Sequence, residues 1–408
     1  MAGAVPNLCY SRRDVLDMAA AYCCGGEQGL QLAIDDKNKQ MSNVHVRIAV
    51  MGESGRGKST LINALLDLDD EEAAPTGFNG TTTKITCYSH PSLPNVHYYD
   101  FPGLNTPNFP VKAFMEKTKF AVYDLGIIVI ERWTENDQLL AKALKKAGKP
   151  FHVVRSKIDL IVKSERGKKG YNEDVMLRSV RENCCSSLEK AGMGKTRVFL
   201  YSSFDLNAYD FPELKKTVVF DLSETQKQLF LLSLPNTSED SINEKREALR
   251  VSIEFMAAIS AAIAVIPVPG LSLACDLVLI ASNILAMRKI LGLDDGSLRK
   301  LSKRVGKSKD ELRRDTEHAW VFGEITREQV MLLLKRCPVA AALTVAELVL
   351  DFVPILGSGF GATTSYWVTR RMLTNSLEEM VETAKIVLRN AEAGASATPG
   401  RAAGYWRD

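Results

Sequence analysis

The sequence predicts an α/β domain, with a mainly parallel sheet and flanking helices, followed by an all-α domain. Short β-rich apolar runs alternate with helical patterns between residues 46 and 215, which is typical of βαβ units. Beyond about residue 220 the pattern changes to long helical segments with few strand signals. A chain of 408 residues is also too long for a single ordinary domain.

Five apolar runs predict the strands of the sheet. They are Val46–Met51, Val96–Tyr99, Leu125–Ile130, Phe151–Arg155 and Val198–Tyr201. We therefore place the α/β domain at 46–215 and the helical domain at 216–392. The last residues, 393–408, are small, polar and interrupted by Pro and Gly, and this composition predicts a disordered tail.

Composition and charge exclude several classes of protein. With 46% hydrophobic and 25% charged residues, the chain has the composition of a soluble globular protein. A net charge of +3 is too small for a protein whose main partner is nucleic acid. The eight cysteines contain no C-x-x-C pair, which argues against a zinc site or a disulfide framework and favours the reducing cytosol.

Two apolar stretches in the helical region leave two interpretations open. Residues 255–275 and 352–368 carry no charge over 21 and 17 residues, lengths that approach a membrane span. Pro and Gly interrupt both stretches, which favours two short buried helices meeting at a turn. A helical hairpin that dips into a membrane is the alternative.

The segment "MGESGRGKST", Met51 to Thr60, matches the phosphate-binding pattern G-x-x-x-x-G-K-S between a strand and an amphipathic helix. Its glycines allow several backbone N–H groups to converge on phosphate oxygens, and the helix N-terminus adds a positive dipole end. Lys58 is expected to bridge the β- and γ-phosphates, and the Ser59 hydroxyl to ligate Mg²⁺. The predicted nucleotide-binding residues here are Gly52, Gly55, Arg56, Gly57, Lys58, Ser59 and Thr60.

Two further fragments supply what a triphosphate site needs beyond this loop. "TGFNGTTTKIT" offers threonines 81–83, one of which is expected to contact Mg²⁺ in the triphosphate state. "HYYDFPGLN" places Asp100 at the end of a strand, where its carboxylate can hold Mg²⁺ through water. Gly103 then leaves its backbone N–H free to contact the γ-phosphate.

The choice of base is predicted from "VVRSKIDL". Asp159 can accept hydrogen bonds from the N1–H and the exocyclic amine of guanine, a pair that adenine does not present, and the Lys157 stem can lie against the ring. Ser156 stands where Asn or Thr is more usual, so part of the base contact is shortened. Ser202, at the end of the last strand, is predicted to open the loop that reaches the base O6. The expected ligands are therefore GTP and GDP with Mg²⁺.

With these motifs in place, the chain resembles the interferon-inducible, immunity-related GTPases, a dynamin-like group that acts on membranes around intracellular pathogens. The resemblance extends from about 47 to 246 and rests on five fragments. They are "GESGRGKSTLINAL", "HPSLPNVHYYDFPGLNTPNFP", "VVRSKID", "YDFPELK" and "SLPNTSEDSINEKR".

The resemblance implies a P-loop GTPase domain, with residues 1–45 forming an N-terminal helical segment that packs on the helical domain. It also implies self-association through the nucleotide face, with heterotypic family partners and peripheral membrane contact, and GTP hydrolysis that is slow without assembly. Thr82 falls at the switch position that contacts Mg²⁺, and with Lys58 and Glu53 it completes the catalytic set. Glu53 and Arg132 fall on the assembly face. The implied location is cytoplasmic and partly on intracellular membranes: endoplasmic reticulum, Golgi or pathogen vacuole.

Three positions lack the residue that other GTPases or family members use for hydrolysis or for a lipid anchor. Leu104 stands where some GTPases have a Gln that orients water. Gly80 replaces an acidic residue implicated in catalysis in well-known family members, and Ala2 replaces the glycine that carries a lipid in some of them. A GTP-binding module deficient in hydrolysis therefore stands as the alternative to an assembling enzyme, and Glu53 as a solvated loop residue is the alternative to its catalytic role.

Overall fold

In the computed structural model of the chain, the structure describes residues 43–68, 74, 84–103, 118–194, 196–264, 271–335 and 357–393, together with separate helical positions between 13 and 40. The chain divides into two compact units. One spans Val44–Pro235, and the other combines the residues up to Asn43 with those from Asn236 onward. The first unit thus extends 20 residues beyond the boundary predicted at 215, and the functional roles assigned to the domains stay predictions.

The first unit is built on a six-stranded sheet with strand order β2-β3-β1-β4-β5-β6. All neighbours pair in parallel except β2 and β3, which are antiparallel. The predicted mostly parallel sheet is confirmed. The strands are β1 Val46–Met51, β2 Thr86–Ser89, β3 Val96–Asp100, β4 Leu125–Ile130, β5 Phe151–Arg155 and β6 Val198–Leu200.

Burial explains why five strands were predictable and one was not. All six residues of β4 are buried, as are five of the six in β1, because helices cover both faces of a parallel sheet. The edge strand β2 has only four residues, "TCYS", which alternate between half-buried and exposed. So short and polar a segment gives no apolar run, and β2 is absent from the sequence prediction.

Six α-helices accompany the sheet in the described residues of this unit. They are α1 Lys58–Leu66, α2 Glu135–Lys146, α3 Ile158–Glu165, α4 Glu173–Lys190, α5 Phe211–Asp221 and α6 Glu224–Ser233. The best-defined start is that of α2, where Thr134 and Asp137 form a reciprocal capping box. Each side chain satisfies a backbone N–H that the first helical turn would otherwise leave unpaired.

The second unit is helical in its described residues. Its α-helices are α7 Glu239–Ala264, α8 Leu271–Ile290, α9 Asp295–Val305, α10 Lys309–Leu312, α11 Arg327–Lys335 and α12 Gly357–Glu392. The two longest, α7 and α12, pack together through small polar side chains: Ser260 Oγ lies 2.7 Å from Ser365 Oγ and 2.8 Å from Thr369 Oγ1. Glu254 adds a 2.8 Å ion pair with Arg370.

The apolar stretches predicted in this unit are covered in part. Helix α7 ends at Ala264 and helix α8 begins at Leu271. The Pro/Gly turn predicted for the first stretch falls at 265–270, which lies outside the described residues. Of the second stretch, residues 352–356 lie outside the described residues, whereas residues 357–368 form the first turns of α12 without a break at their glycines. The tail after 393 also lies outside the described residues. Within the described part of the chain, no helix combines the length and apolar character needed to cross a bilayer.

Candidate nucleotide site

The phosphate-binding loop connects β1 to α1, as predicted, and its glycines adopt conformations that other residues rarely take. Gly52, Gly55 and Gly57 have φ angles of 139°, 76° and 85°. A Cβ at Gly52 would also lie 2.3 Å from the carbonyl oxygen of Val129. Gly52 is therefore required both for its backbone angle and for the close approach of β4.

Lys58 is buried in this loop, where its Nζ donates a hydrogen bond to the Glu53 carbonyl at 2.9 Å. Burial lowers the pKa of Lys58 to about 8, although the charge of Asp100 acts in the opposite direction. An ammonium that has lost this much hydration gains most from a negatively charged neighbour. A phosphate group would supply that charge. Thr60 follows in the first turn of α1 and is half-buried.

Ser59 and Asp100 meet at the carboxyl ends of two neighbouring strands. Asp100 is the last residue of β3, and its register partner Val50 lies in β1, directly before the loop. Ser59 Oγ donates to Asp100 Oδ2 at 2.6 Å. A hydroxyl and a carboxylate oxygen are hard ligands of the kind that Mg²⁺ takes beside substrate phosphates. The donor set therefore fits Mg²⁺.

The loop after β3 approaches the phosphate loop closely at Gly103. A Cβ at this position would lie 2.6 Å from Ser54 Cα and 2.7 Å from both Ser54 N and Ser54 Cβ. Only glycine fits this contact without a shift of the backbone, because real Cβ atoms do not come so close to backbone atoms. The contact brings the Gly103 backbone against the predicted phosphate site.

The predicted base-recognition residues extend from the end of β5 into the first turn of α3. Lys157 has a left-handed backbone, with φ of 58°, and its Nζ donates to the Gly55 carbonyl at 2.7 Å. The same ammonium forms an ion pair of 2.5 Å with Glu131. Ser156 is buried, and its hydroxyl donates to the Arg56 carbonyl at 2.8 Å. Asp159 is half-buried in the first turn of α3.

The loop after β6 lies beside these residues. The Ile158 N–H donates to the Tyr201 carbonyl at 3.4 Å, and the Tyr201 N–H donates to the Arg155 carbonyl at 3.0 Å. Ser202 is buried and follows directly. The predicted base loops of β5 and β6 are thus adjacent.

Sequence reasoning missed a polar network that ties the phosphate loop to α2. Arg56 and Asp137 are both buried, and Arg56 Nη1 donates to both oxygens of the Asp137 carboxylate, at 2.9 and 2.8 Å. Burial raises the pKa of Asp137, and the charge of Arg56 only partly opposes this shift. The T-x-x-D spacing of the α2 capping box was a visible signal for Asp137 as a cap, but nothing in the sequence linked it to Arg56.

Glu53 belongs to the same network. One of its carboxylate oxygens accepts hydrogen bonds of 3.1 Å from both Thr134 and Asn136, and the other is paired with Arg56. Burial alone would raise the pKa of Glu53, but the Arg56 charge and these hydrogen bonds outweigh it, so the pKa is lowered. Glu53 is therefore a carboxylate in a fixed orientation, while Arg132, on the loop between β4 and α2, is exposed.

The structure thus brings most of the predicted site together along one edge of the sheet. The phosphate loop, Asp100, Gly103 and the base loops all follow the carboxyl ends of β1, β3, β5 and β6, where open α/β sheets bind ligands. Thr82, Gly80 and Leu104 lie outside the described residues. Their predicted roles stay predictions.

Comparison with known proteins gives one family. Residues 15–391 match the family model described as interferon-inducible GTPase (IIGP). The chain is 33% identical to rat (Rattus norvegicus) interferon-inducible GTPase 5, over 84% of this chain and 74% of the relative. It is 33% identical to mouse (Mus musculus) interferon-gamma-inducible GTPase 10, over 90% and 87%. It is 35% identical to mouse T-cell-specific guanine nucleotide triphosphate-binding protein 2, over 74% and 75%.

Proposed function

The chain belongs to the interferon-inducible GTPase family, and from this premise we propose that it binds GTP and hydrolyses it to GDP in immune defence. The observation that carries the proposal is the meeting of Ser59 and Asp100 at 2.6 Å beside the buried Lys58. Lys58 and Ser59 open α1 and Asp100 ends β3, and together they form one cationic and oxygen-rich site. Asp159 and Lys157 in the adjoining base loop favour guanine over adenine.

Each residue has a part in this activity. Lys58 binds the β- and γ-phosphates, and the loop N–H groups orient them. Ser59, Asp100 and Thr82 would hold Mg²⁺, which when bound neutralises charge on the phosphate oxygens. Glu53 is held as a carboxylate at the rim of the loop by Arg56 and Asn136, so it can orient water or contact a second copy.

We extend the proposal to nucleotide-dependent self-assembly through the nucleotide face. Support comes from the loop between β4 and α2. Arg132 of this loop is exposed, and residues close to it in sequence contact the predicted nucleotide-binding residues. Glu131 pairs with Lys157, and Thr134 and Asn136 bind Glu53. A nucleotide that displaces Lys157 or Glu53 would therefore change the loop that carries Arg132.

A hydrolysis-deficient GTP-binding module is the second candidate function. It is favoured by the state of Glu53, whose two carboxylate oxygens already accept three hydrogen bonds. In this alternative the network only stiffens the loop, and bound GTP recruits partners. The two candidates differ in turnover and share the binding site.

Equilibrium binding tests the shared part of the proposal. We expect GTP and GDP to bind and ATP not to compete, and Lys58→Ala to abolish binding. The matched control is Lys142→Ala, which removes an exposed lysine of α2 and should leave affinity unchanged. Retained GTP affinity in the Lys58 variant, with an unchanged thermal melt, would overturn the assignment of this loop to the phosphates.

Phosphate release measured against protein concentration separates the two candidates. Turnover per molecule that rises with concentration supports the assembling enzyme, since the active unit is then larger than one copy. A flat signal near zero supports the binding module.

Peripheral membrane contact, proposed from the apolar stretches, is tested by flotation with anionic vesicles. Recovery of the protein at the bottom of the gradient in every nucleotide state would contradict it.

A further inference from the structure

Phe204 lies at the tip of the turn that follows β6. Ser202 and Asp205 form an antiparallel bridge, which makes Ser203 and Phe204 the two tip residues. The Phe204 N–H donates to Ser202 Oγ at 3.2 Å, so the buried Ser202 holds the turn in place. The turn is therefore held by hydrogen bonds, and it carries an exposed aromatic ring.

The Phe204 side chain is 73% exposed. Exposure alone decides nothing, because single apolar side chains are common on protein surfaces. Phe220, on α5, is 82% exposed and has no predicted site residue within its segment. What distinguishes Phe204 is its position in the chain, three residues after Tyr201, whose carbonyl accepts the N–H of Ile158 between Lys157 and Asp159.

Contacts of Lys157, which follows β5, fix the side chain expected to cover one face of the base. Lys157 Nζ is held by the Gly55 carbonyl and by Glu131, so its aliphatic stem has a defined course. Ser156 adds little to base binding, because its hydroxyl is directed to the Arg56 carbonyl. A purine seated at Asp159 would thus have one face against the Lys157 stem.

We propose that the Phe204 ring stacks on the guanine ring, on the face opposite the Lys157 stem. This inference rests on the proposed function and adds to it a residue that sets affinity. Aromatic rings stack on every base, so Phe204 raises affinity for the nucleotide while Asp159 selects guanine. The base is common to GTP and GDP, and Phe204 therefore strengthens the binding of both by the same factor.

Calorimetric titration with GDP and with a non-hydrolysable GTP analogue tests the proposal in the full chain. We expect Phe204→Ala to raise Kd by about five- to 150-fold for both ligands, the range given by base–aromatic stacking. Phe220→Ala is the matched control and should leave both Kd values unchanged. Equal affinities of wild type and Phe204→Ala would overturn the inference, whereas a wild type that binds neither ligand would overturn the proposed function itself.

A second variant separates stacking from a structural role of the turn. Phe204→Trp keeps an aromatic face, so it should restore affinity to within about threefold of wild type, and guanine binding should quench its added fluorescence. A Trp variant as weak as the Ala variant would contradict stacking. So would an Ala variant that binds both nucleotides normally but loses concentration-dependent turnover, because Phe204 would then contact a second copy.

Discussion

Arg56 Nη1 donates to both carboxylate oxygens of Asp137, at 2.9 and 2.8 Å, and so joins the phosphate-binding loop to the first turn of α2. Asp137 is fully buried and also caps its own helix through Thr134. The Asp137 carboxylate thus caps α2 and forms an ion pair with Arg56 of the phosphate-binding loop. Loss of Arg56 would leave the Asp137 carboxylate buried without a positive partner, and loss of Asp137 would leave Arg56 paired with Glu53 alone.

Asp137→Ala should lower the free energy of unfolding by about 2–4 kcal/mol, because it removes the buried carboxylate that pairs with Arg56 Nη1 and caps α2, and leaves the guanidinium with Glu53 as its acidic partner. Urea denaturation followed by circular dichroism measures the loss. Glu135→Ala, in the same helical turn, removes an exposed carboxylate and should cost under about 1 kcal/mol. Similar losses for the two variants would show that the ion pair has no special weight.

Glu53→Ala should separate binding from turnover. The side chain is paired with Arg56 and Asn136 and does not supply the loop N–H groups, so GTP affinity should stay within about threefold of wild type. Hydrolysis at high protein concentration should fall by at least about tenfold if the carboxylate acts in assembly or catalysis. Asn136→Ala is the control that loosens Glu53 but keeps its charge. Unchanged turnover in both variants would mean that Glu53 acts only in the structure of the loop.

The sheet was predictable because its strands are buried on both faces and are read as continuous apolar runs. The five predicted runs correspond to five of the six strands, with Val96–Tyr99 and Val198–Tyr201 each differing from the observed strand by one residue at the end. The exception, β2, pairs on one side only and alternates in burial, so four residues gave no signal.

The candidate site was predictable where the interacting residues are close in sequence, and it was not predictable where they are far apart. The loop residues from Gly52 to Thr60 are contiguous, and their spacing carries their meaning. Arg56 pairs with a carboxylate 81 residues away, and Lys157 pairs with Glu131 from another strand end. Such pairs follow only from the strand order, which a single sequence does not specify. Phe204 had no motif of its own.

Asp159→Asn should change the preferred base. The carboxylate accepts hydrogen bonds from the N1–H and 2-amino groups of guanine, whereas an amide also donates and so matches the 2-oxo group of xanthine. We expect GTP affinity to fall by about ten- to a hundredfold and XTP affinity to rise. Competition binding measures both.

Asp205→Asn is the control for this change of base. Its Oδ1 accepts the backbone N–H groups of Asn207 and Ala208, which an amide oxygen can still do. GTP should therefore stay the preferred ligand of this variant. An Asp159 variant that keeps GTP preference would place base recognition elsewhere.

Gly103→Ala should weaken nucleotide binding and destabilise the protein by about 1–3 kcal/mol, since the new methyl group would press on the Ser54 backbone. The loop after β3 or the phosphate loop would have to move. Thermal denaturation and GDP titration measure the two effects. Gly167→Ala is the matched control, because its Cβ would meet nothing within 4 Å. Equal behaviour of the two variants would mean that the close approach at Gly103 is not required.

The paired imidazoles of His45 and His97 should make the sheet unit less stable in acid. His45 Nδ1 lies 3.0 Å from His97 Nε2, and the two rings stack. Burial, and then nearby positive charge from Arg47, lowers the pKa of His45, with Asp124 opposing the shift. Burial, then His45 and Arg47, lowers the pKa of His97. Ser89 and Cys87 face His97 from β2.

The sign follows from these directions. A histidine whose folded pKa is below its unfolded value of about 6.5 binds more protons in the unfolded chain, so stability falls as pH decreases through that window. Thermal melts of the full chain at pH 7.5 and 5.5 should therefore show a larger loss of Tm in wild type than in His97→Gln, which cannot take up the second proton. Parallel losses in the two proteins would mean that other groups control the acid response, because the contact between His45 and His97 would then carry no proton linkage.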